Sequence, residues 1–186
     1  MIITLSGVTG VGKSYLKKKI IQQLNLKSLI VVTTRKKREG EIDGIDKYFL
    51  SKSEYDTKKE RGEISVTFNF LGADYAYYTS ELKSKENSIT ELHYTTINSF
   101  KNVAENVLSI YLVPSKVEFA IEQLKKRNLP AEVENKRIEE IKEQIEIANN
   151  NQNIMEQFDY VIENDYTNKV VDEIINIIKK NIAIKA

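Results

Sequence analysis

Cysteine is absent from the 186 residues, and histidine occurs once, at His93. The first absence excludes disulfides, thiolate-bound metals and thiol nucleophiles, and the second excludes a multi-histidine metal centre. An excess of charge is missing too: 28 Lys and Arg stand against 27 Asp and Glu, a formal net charge of +1. Such a chain has no global field to gather nucleic acid or an anionic membrane, so any anion it binds is held locally. No apolar run approaches the roughly 20 residues of a membrane helix, and the first residues lack a signal-peptide pattern, so the cytoplasm is the expected compartment. Nothing in the composition sets an oligomeric state. The chemistry left is that of Lys, Arg, carboxylates, hydroxyls and bound cations.

A length of 186 residues with 41% hydrophobic content supports one sizeable core and one domain. Ile2 to Leu5 reads as a buried strand, Leu16, Ile20, Ile21 and Leu24 as the apolar stripe of a helix, and Leu29 to Val32 as a second strand. Ser51 to Arg61 reads as a short capped helix, and the β-branched and aromatic stretch from Gly62 to Ser80 as a small strand-rich insertion. Ser88 to Leu92, Val107 to Val113 and Tyr160 to Ile162 supply further strands. Val117 to Arg127, Ile138 to Ala148 and Val170 to Ile178 supply helices, with Asn128 to Arg137 expected to be broken at Pro130. Strands alternating with helices predict an α/β fold with a parallel sheet flanked by helices, which places ligands at the carboxyl ends of the strands.

Gly7-Val8-Thr9-Gly10-Val11-Gly12-Lys13-Ser14 meets the pattern of glycine, any four residues, glycine, lysine and serine or threonine. It follows an apolar strand and opens an amphipathic helix, the context that makes it a phosphate-binding loop. The glycines let successive N–H groups point at one phosphate, and the helix N-terminus adds a favourable dipole. Lys13 is expected to reach the β- and γ-phosphates of ATP, and the Ser14 hydroxyl to ligate Mg²⁺. A GTPase drops well down the list for want of the Asn-Lys-x-Asp guanine signature, because Asn168-Lys169 has its aspartate, Asp172, one position too late.

A second anion site follows in Thr33-Thr34-Arg35-Lys36-Lys37-Arg38-Glu39-Gly40-Glu41, continuing to Gly44, Lys47, Tyr48 and Phe49. Two arginines three apart can hold a phosphate bidentately. With the glycine loop, this segment resembles the acceptor-binding pattern of guanylate kinases, Thr-Thr-Arg-x-x-Arg-x-Gly-Glu-x-x-Gly-x-x-Tyr-x-Phe. The similarity continues through Tyr77-Tyr78-Thr79-Ser80, Arg127, Asn135-Lys136-Arg137 and Asn164-Asp165.

The resemblance implies a single P-loop kinase domain of three layers, with a core near residues 1–30, 81–120 and 155–186. It adds an acceptor-binding insertion near 31–80 and a helical lid near 121–150. It implies ATP and Mg²⁺ as cofactors, a nucleoside monophosphate as the small-molecule partner, and GMP or dGMP as first acceptor. Arg35 and Arg38 would bind the acceptor phosphate, with a hydroxyl from Tyr77 or Tyr78 and neighbours Thr79 and Ser80. Arg127 and Arg137 would be lid arginines at the transferring phosphoryl group, and Asn164 would lie near the adenine.

Three positions depart from the family pattern. Its tyrosine aligns with Lys47, leaving adjacent Tyr48 as a candidate substitute. Its base-reading glutamate falls near Val66, and its Asp-x-Asp appears as Glu91-Leu92-His93. Glu91 is read as orienting either the Mg²⁺ hydration shell or an arginine, and His93 as either a substrate contact or a structural residue. A kinase of another nucleotide or phosphorylated metabolite, and a non-catalytic binding module, are the alternative readings; the intact Lys13-Ser14 pair weighs against the module.

Overall fold

The computed structural model describes residues 1–70 and 72–184. Its centre is the strand β1 (Ile2–Gly7), flanked in one parallel sheet by β2 (Lys27–Ser28), β7 (Ser88–Glu91), β8 (Val107–Pro114) and β9 (Tyr160–Asn164) in the order β2-β7-β1-β8-β9. Register is set by apolar residues covered on both faces, as a central parallel strand requires. Along β1 and β8, Ile3, Leu5, Leu108, Ile110 and Leu112 pack on one side, and Ile2 and Tyr111 on the other.

The first side is closed by α1 (Lys13–Leu24), α5 (Val117–Lys125), α6 (Ala131–Asn150) and α8 (Asn168–Ile184) through Leu16, Ile20, Ala120, Leu124, Ile141 and Ile174. The second is closed by α4 (Ile97–Val103), which inserts Ile97 and Phe100. Helices on both faces of a parallel sheet are the layering the alternating pattern predicted.

A second sheet, ordered β4-β3-β6-β5, stands beside the core: β3 (Val32–Thr33), β4 (Tyr48–Phe49), β5 (Ile64–Phe70) and β6 (Ala73–Tyr78). It is joined by α2 (Lys52–Glu60), opened by a capping box between Ser51 and Glu54, and by the short α3 (Thr79–Leu82). The β5–β6 ladder shifts register between Ser65 and Phe68, where Val66 takes φ 54°, a bulge that re-aims the residues after it.

Two local expectations are corrected. Leu29 to Val32 is not one strand: Lys27–Ser28 pairs with β7 in the core, while Val32–Thr33 pairs with β4 and β6. The chain crosses between sheets there, and Leu29 keeps one bond, its N–H to the Ile89 carbonyl at 3.0 Å. Pro130 does not break the helix before Ile138 but stands at its N-cap, with Glu132 and Glu134 in the first turn. A missing N–H costs nothing at a helix start, and the acidic residues complement the helix dipole. Asn151 caps a further turn, α7 (Gln152–Met155).

Leu5 has no exposed surface. Leu5→Ala should lower unfolding stability by about 2–5 kcal/mol, read from the midpoint of a urea titration at unchanged slope; a loss below about 1 kcal/mol would place the core elsewhere.

Candidate active site

The turn from β1 into α1 is built from positions that only glycine fills. Gly7 has φ 140° and Gly10 φ 83°, and a Cβ on either would drive into backbone, of Leu112 and of Ala120 respectively. Gly12, at φ 88°, leads into α1 with no side-chain cap, so the first-turn N–H groups stay free for an anion. Lys13 folds back over the loop, its Nζ donating to the carbonyls of Gly7 at 2.7 Å and Val8 at 2.9 Å. Burial pushes this ammonium down to about 8, against the opposing pull of Glu91.

Three neighbours hold the loop. Asn164 Nδ2 donates to the Val11 carbonyl at 2.7 Å, Tyr166 Oη to the Gly10 carbonyl at 3.1 Å, and Thr9 N–H to Gln144 Oε1 at 2.7 Å.

The loop forms one end of a cleft of about 740 Å³. At the other end stand Arg35 and Arg38. Arg35 donates to Glu41 Oε1 at 2.6 Å and to the Lys36 carbonyl at 2.7 Å, and lies over the Phe49 ring. The Arg35 hydrogen bond holds the Glu41 carboxyl below its ordinary range, with help from the Arg38 N–H. Arg38 is exposed and lines the cleft. The wall between is aromatic: Phe68 stacks on Tyr75 with centroids 5.2 Å apart, and His93 lies 5.2 Å from Phe70 and 4.8 Å from Tyr94. Burial pushes the His93 imidazole down, so it is neutral at pH 7, and Nδ1 pairs with Thr95 Oγ1 at 2.8 Å.

Above the loop lie α5 and α6. Arg137, Glu140, Ile141 and Gln144 recur at helical spacing on one face of α6. Arg137 pairs with Glu140 and covers the Phe70 ring, Gln144 Nε2 donates to Glu140 at 3.1 Å, and Ile141 enters the core. Arg127, just beyond α5, lines the same cleft and acts electrostatically on Lys13.

The residues present suit Mg²⁺. Ser14 Oγ donates to Glu91 Oε2 at 3.1 Å, which puts two hard oxygen donors at the loop, and no cluster of three metal-ligating side chains occurs among the described residues. Mg²⁺ is held in this way, by one or two protein oxygens with the rest of its shell from phosphate and water.

The sequence matches the family model for guanylate kinase over residues 1–181. This chain belongs to the guanylate kinase family. It is 32% identical to the guanylate kinase of Rickettsia prowazekii over 183 residues, covering 96% of this chain and 90% of the relative. Identity to the guanylate kinase of Mycoplasma capricolum is 31%, covering 95% of this chain and 60% of that protein's length. The fold matches the crystal structure of guanylate kinase from Anaplasma phagocytophilum, with TM-score 0.74, 23% identity, and coverage of 97% of this chain and 85% of that one.

Within the guanylate kinase frame, several residues singled out in the sequence lie off the cleft. Tyr48 packs edge-on against Tyr78, centroids 5.0 Å apart, on the outer side of the small sheet. Strand alternation sends its predecessor Lys47 to the cleft instead. Tyr77 is fully buried, its hydroxyl donating to the Glu91 carbonyl at 2.9 Å and its ring against Phe100. Of the tyrosines on β6, the one that lines the cleft is Tyr75, two residues earlier on the same face. Thr79 donates to the Gly62 carbonyl at 2.9 Å and Ser80 is exposed beside it; neither lines the cleft.

Val11 turns its side chain into the core, and its N–H bonds to the Val8 carbonyl at 3.2 Å. Asn164 is 3% exposed, lines the cleft, and commits its amide to Val11 and to the Tyr166 N–H, so it braces the loop. Val66 is buried and reads nothing in the cleft. Among the contributors not singled out in advance, Gln144 was visible only as a polar residue on the apolar face of α6.

Lys13 carries a pH signature. Its folded value, about 8, lies below the ordinary 10.5, so between those pH values the unfolded chain binds more protons and stability rises with pH. In denaturant titrations of the empty protein, wild type should gain stability relative to Lys13→Met across that window. A flat difference would show that Lys13 keeps its charge.

Proposed function

We propose that the chain transfers the γ-phosphoryl group of ATP to the phosphate of a nucleoside monophosphate, with GMP the first acceptor and the cytoplasm the place of action. The observation that carries this reading is one cleft with two anion sites at its ends and cationic side chains between them. The relatives named guanylate kinase support it.

A phosphomonoester is already an anion at pH 7, so no side chain needs to remove a proton from the nucleophile. Its oxygen forms the new P–O bond while the bond from the γ-phosphorus to the bridging oxygen breaks, and ADP leaves. The work of the protein is positioning and charge. Arg38 and Arg35 fix the acceptor phosphate, and Lys13 exchanges its two loop carbonyls for phosphate oxygens. Arg127 and Arg137 meet the negative charge on the equatorial oxygens, where fixed cations act in a partly dry site. Mg²⁺, held at Ser14, would neutralise charge on the β- and γ-phosphates.

One observation favours a second acceptor base. Guanine offers two adjacent donors on its pairing edge, which a carboxylate answers best. The carboxylates lining the cleft are all engaged: Glu41 with Arg35, Glu91 with Ser14, and Glu140 with Arg137. The wall facing the base is Phe68, Phe70, Tyr75 and neutral His93, which stacks on any base.

A coupled ADP-release assay with GMP, dGMP, AMP, CMP and UMP decides both points. Turnover with GMP in clear excess over the others supports the first reading, and comparable turnover with another base the second. No turnover with any of them sinks both. In the active case Lys13→Ala should lower kcat about 10²- to 10³-fold or more, and Arg38→Ala should raise acceptor KM with little change in ATP KM.

A further inference from the structure

Lys47 stands between the two anion sites. It is half-buried, lines the cleft, and feels Glu91 from the core strand and Arg35, Glu41 and Arg38 from its own loop. Neither a hydrogen bond nor an ion pair engages its ammonium among the described residues, although desolvation is the largest influence on it. A cation partly stripped of water, with no carboxylate in ion-pair contact, is costly to hold, and the protein holds this one by placing it on the strand face opposite Tyr48.

The charge balance of the acceptor end shows what the cation is for. Arg35 gives one N–H of each outer nitrogen to a protein acceptor, Glu41 and the Lys36 carbonyl, and keeps the second N–H of each for a phosphate. Arg35 and Glu41 together are neutral. Arg38 alone would leave one positive charge opposite a phosphomonoester that carries about −1.5 to −2 at pH 7. Lys47 brings the site to two positive charges, which matches the dianion.

We propose that Lys47 is the third cation of the acceptor-phosphate subsite, donating to the phosphate beside Arg38 and Arg35 and selecting a phosphomonoester dianion over a less charged acceptor. The proposal rests on the phosphoryl-transfer reading of the cleft. It places a charged side chain where the guanylate kinase pattern has a neutral tyrosine, and it removes Tyr48 from the substrate contacts.

The test uses Lys47→Gln, which keeps most of the length and removes the charge, and Lys47→Arg, which keeps the charge. With the best acceptor of the monophosphate panel, Lys47→Gln should raise acceptor KM about 10- to 100-fold, the range for losing a hydrogen bond to a charged group. ATP KM and melting temperature should hold, and Lys47→Arg should recover most of the loss. A brace between the loop and Glu91 would instead lower melting temperature and move both KM values together. Unchanged acceptor KM in Lys47→Gln overturns the assignment.

Calorimetric titration with GMP and with AMP reads the same subsite without turnover. If wild type binds either nucleotide more tightly than Lys47→Gln but transfers no phosphate, the subsite stands and the proposed reaction falls. Equal binding by the two proteins, or none by wild type, overturns the subsite.

Discussion

The loop between β1 and α1 can turn only one way, and the rest of the molecule is arranged around that turn. Gly7 is pressed on the backbone of β8 and Gly10 on the backbone of α5, so both neighbours must be in place before the amide groups can face the cleft. The parallel register of β1 with β8, from Ile2 opposite Val107 to Gly7 opposite Leu112, is what brings the Leu112 carbonyl there. Val8 and Val11 then anchor the loop in the core with no exposed surface. A phosphate site made of backbone is therefore a consequence of core packing.

Charge concentrates where this packing leaves a cleft. The chain carries a net charge of +1, yet six cationic side chains line the cleft against three carboxylates. Each carboxylate does positional work: Glu41 aims Arg35, Glu140 aims Arg137, and Glu91 meets Ser14. Desolvation of Lys13, Lys17 and Lys47 lowers the affinity of each for its proton. The same desolvation strengthens their attraction to a phosphate that enters. An anionic ligand thus relieves a cost that the empty protein carries.

The segment that covers the cleft is tied to the loop beneath it. Gln144 accepts from Thr9 N–H and donates to Glu140, which holds Arg137, which lies over Phe70 of the small sheet. One run of side chains on α6 thereby touches the glycine loop, fixes the cleft arginine Arg137, and reaches the aromatic wall. Motion of α6 cannot leave any of the three unaffected.

The glycine loop and the arginine pair were legible in the sequence because their chemistry is local: spacing along the chain sets which backbone N–H groups and which guanidinium groups share a phosphate. The parallel sheet was legible for a similar reason, since apolar runs buried on both faces leave one layering. The aromatic and lysine positions were not. Tyr48, Tyr77 and Tyr78 are suitable hydroxyls by sequence, and only the alternation of β4 and β6 against two different cores sends them inward and leaves Tyr75 and Lys47 at the cleft. The sequence alone determined the glycine loop and the arginine pair, because a few adjacent residues suffice for each. Tertiary structure decided which side chains face the space between them, because that depends on strand faces and a bulge at Val66 whose direction is set by distant partners.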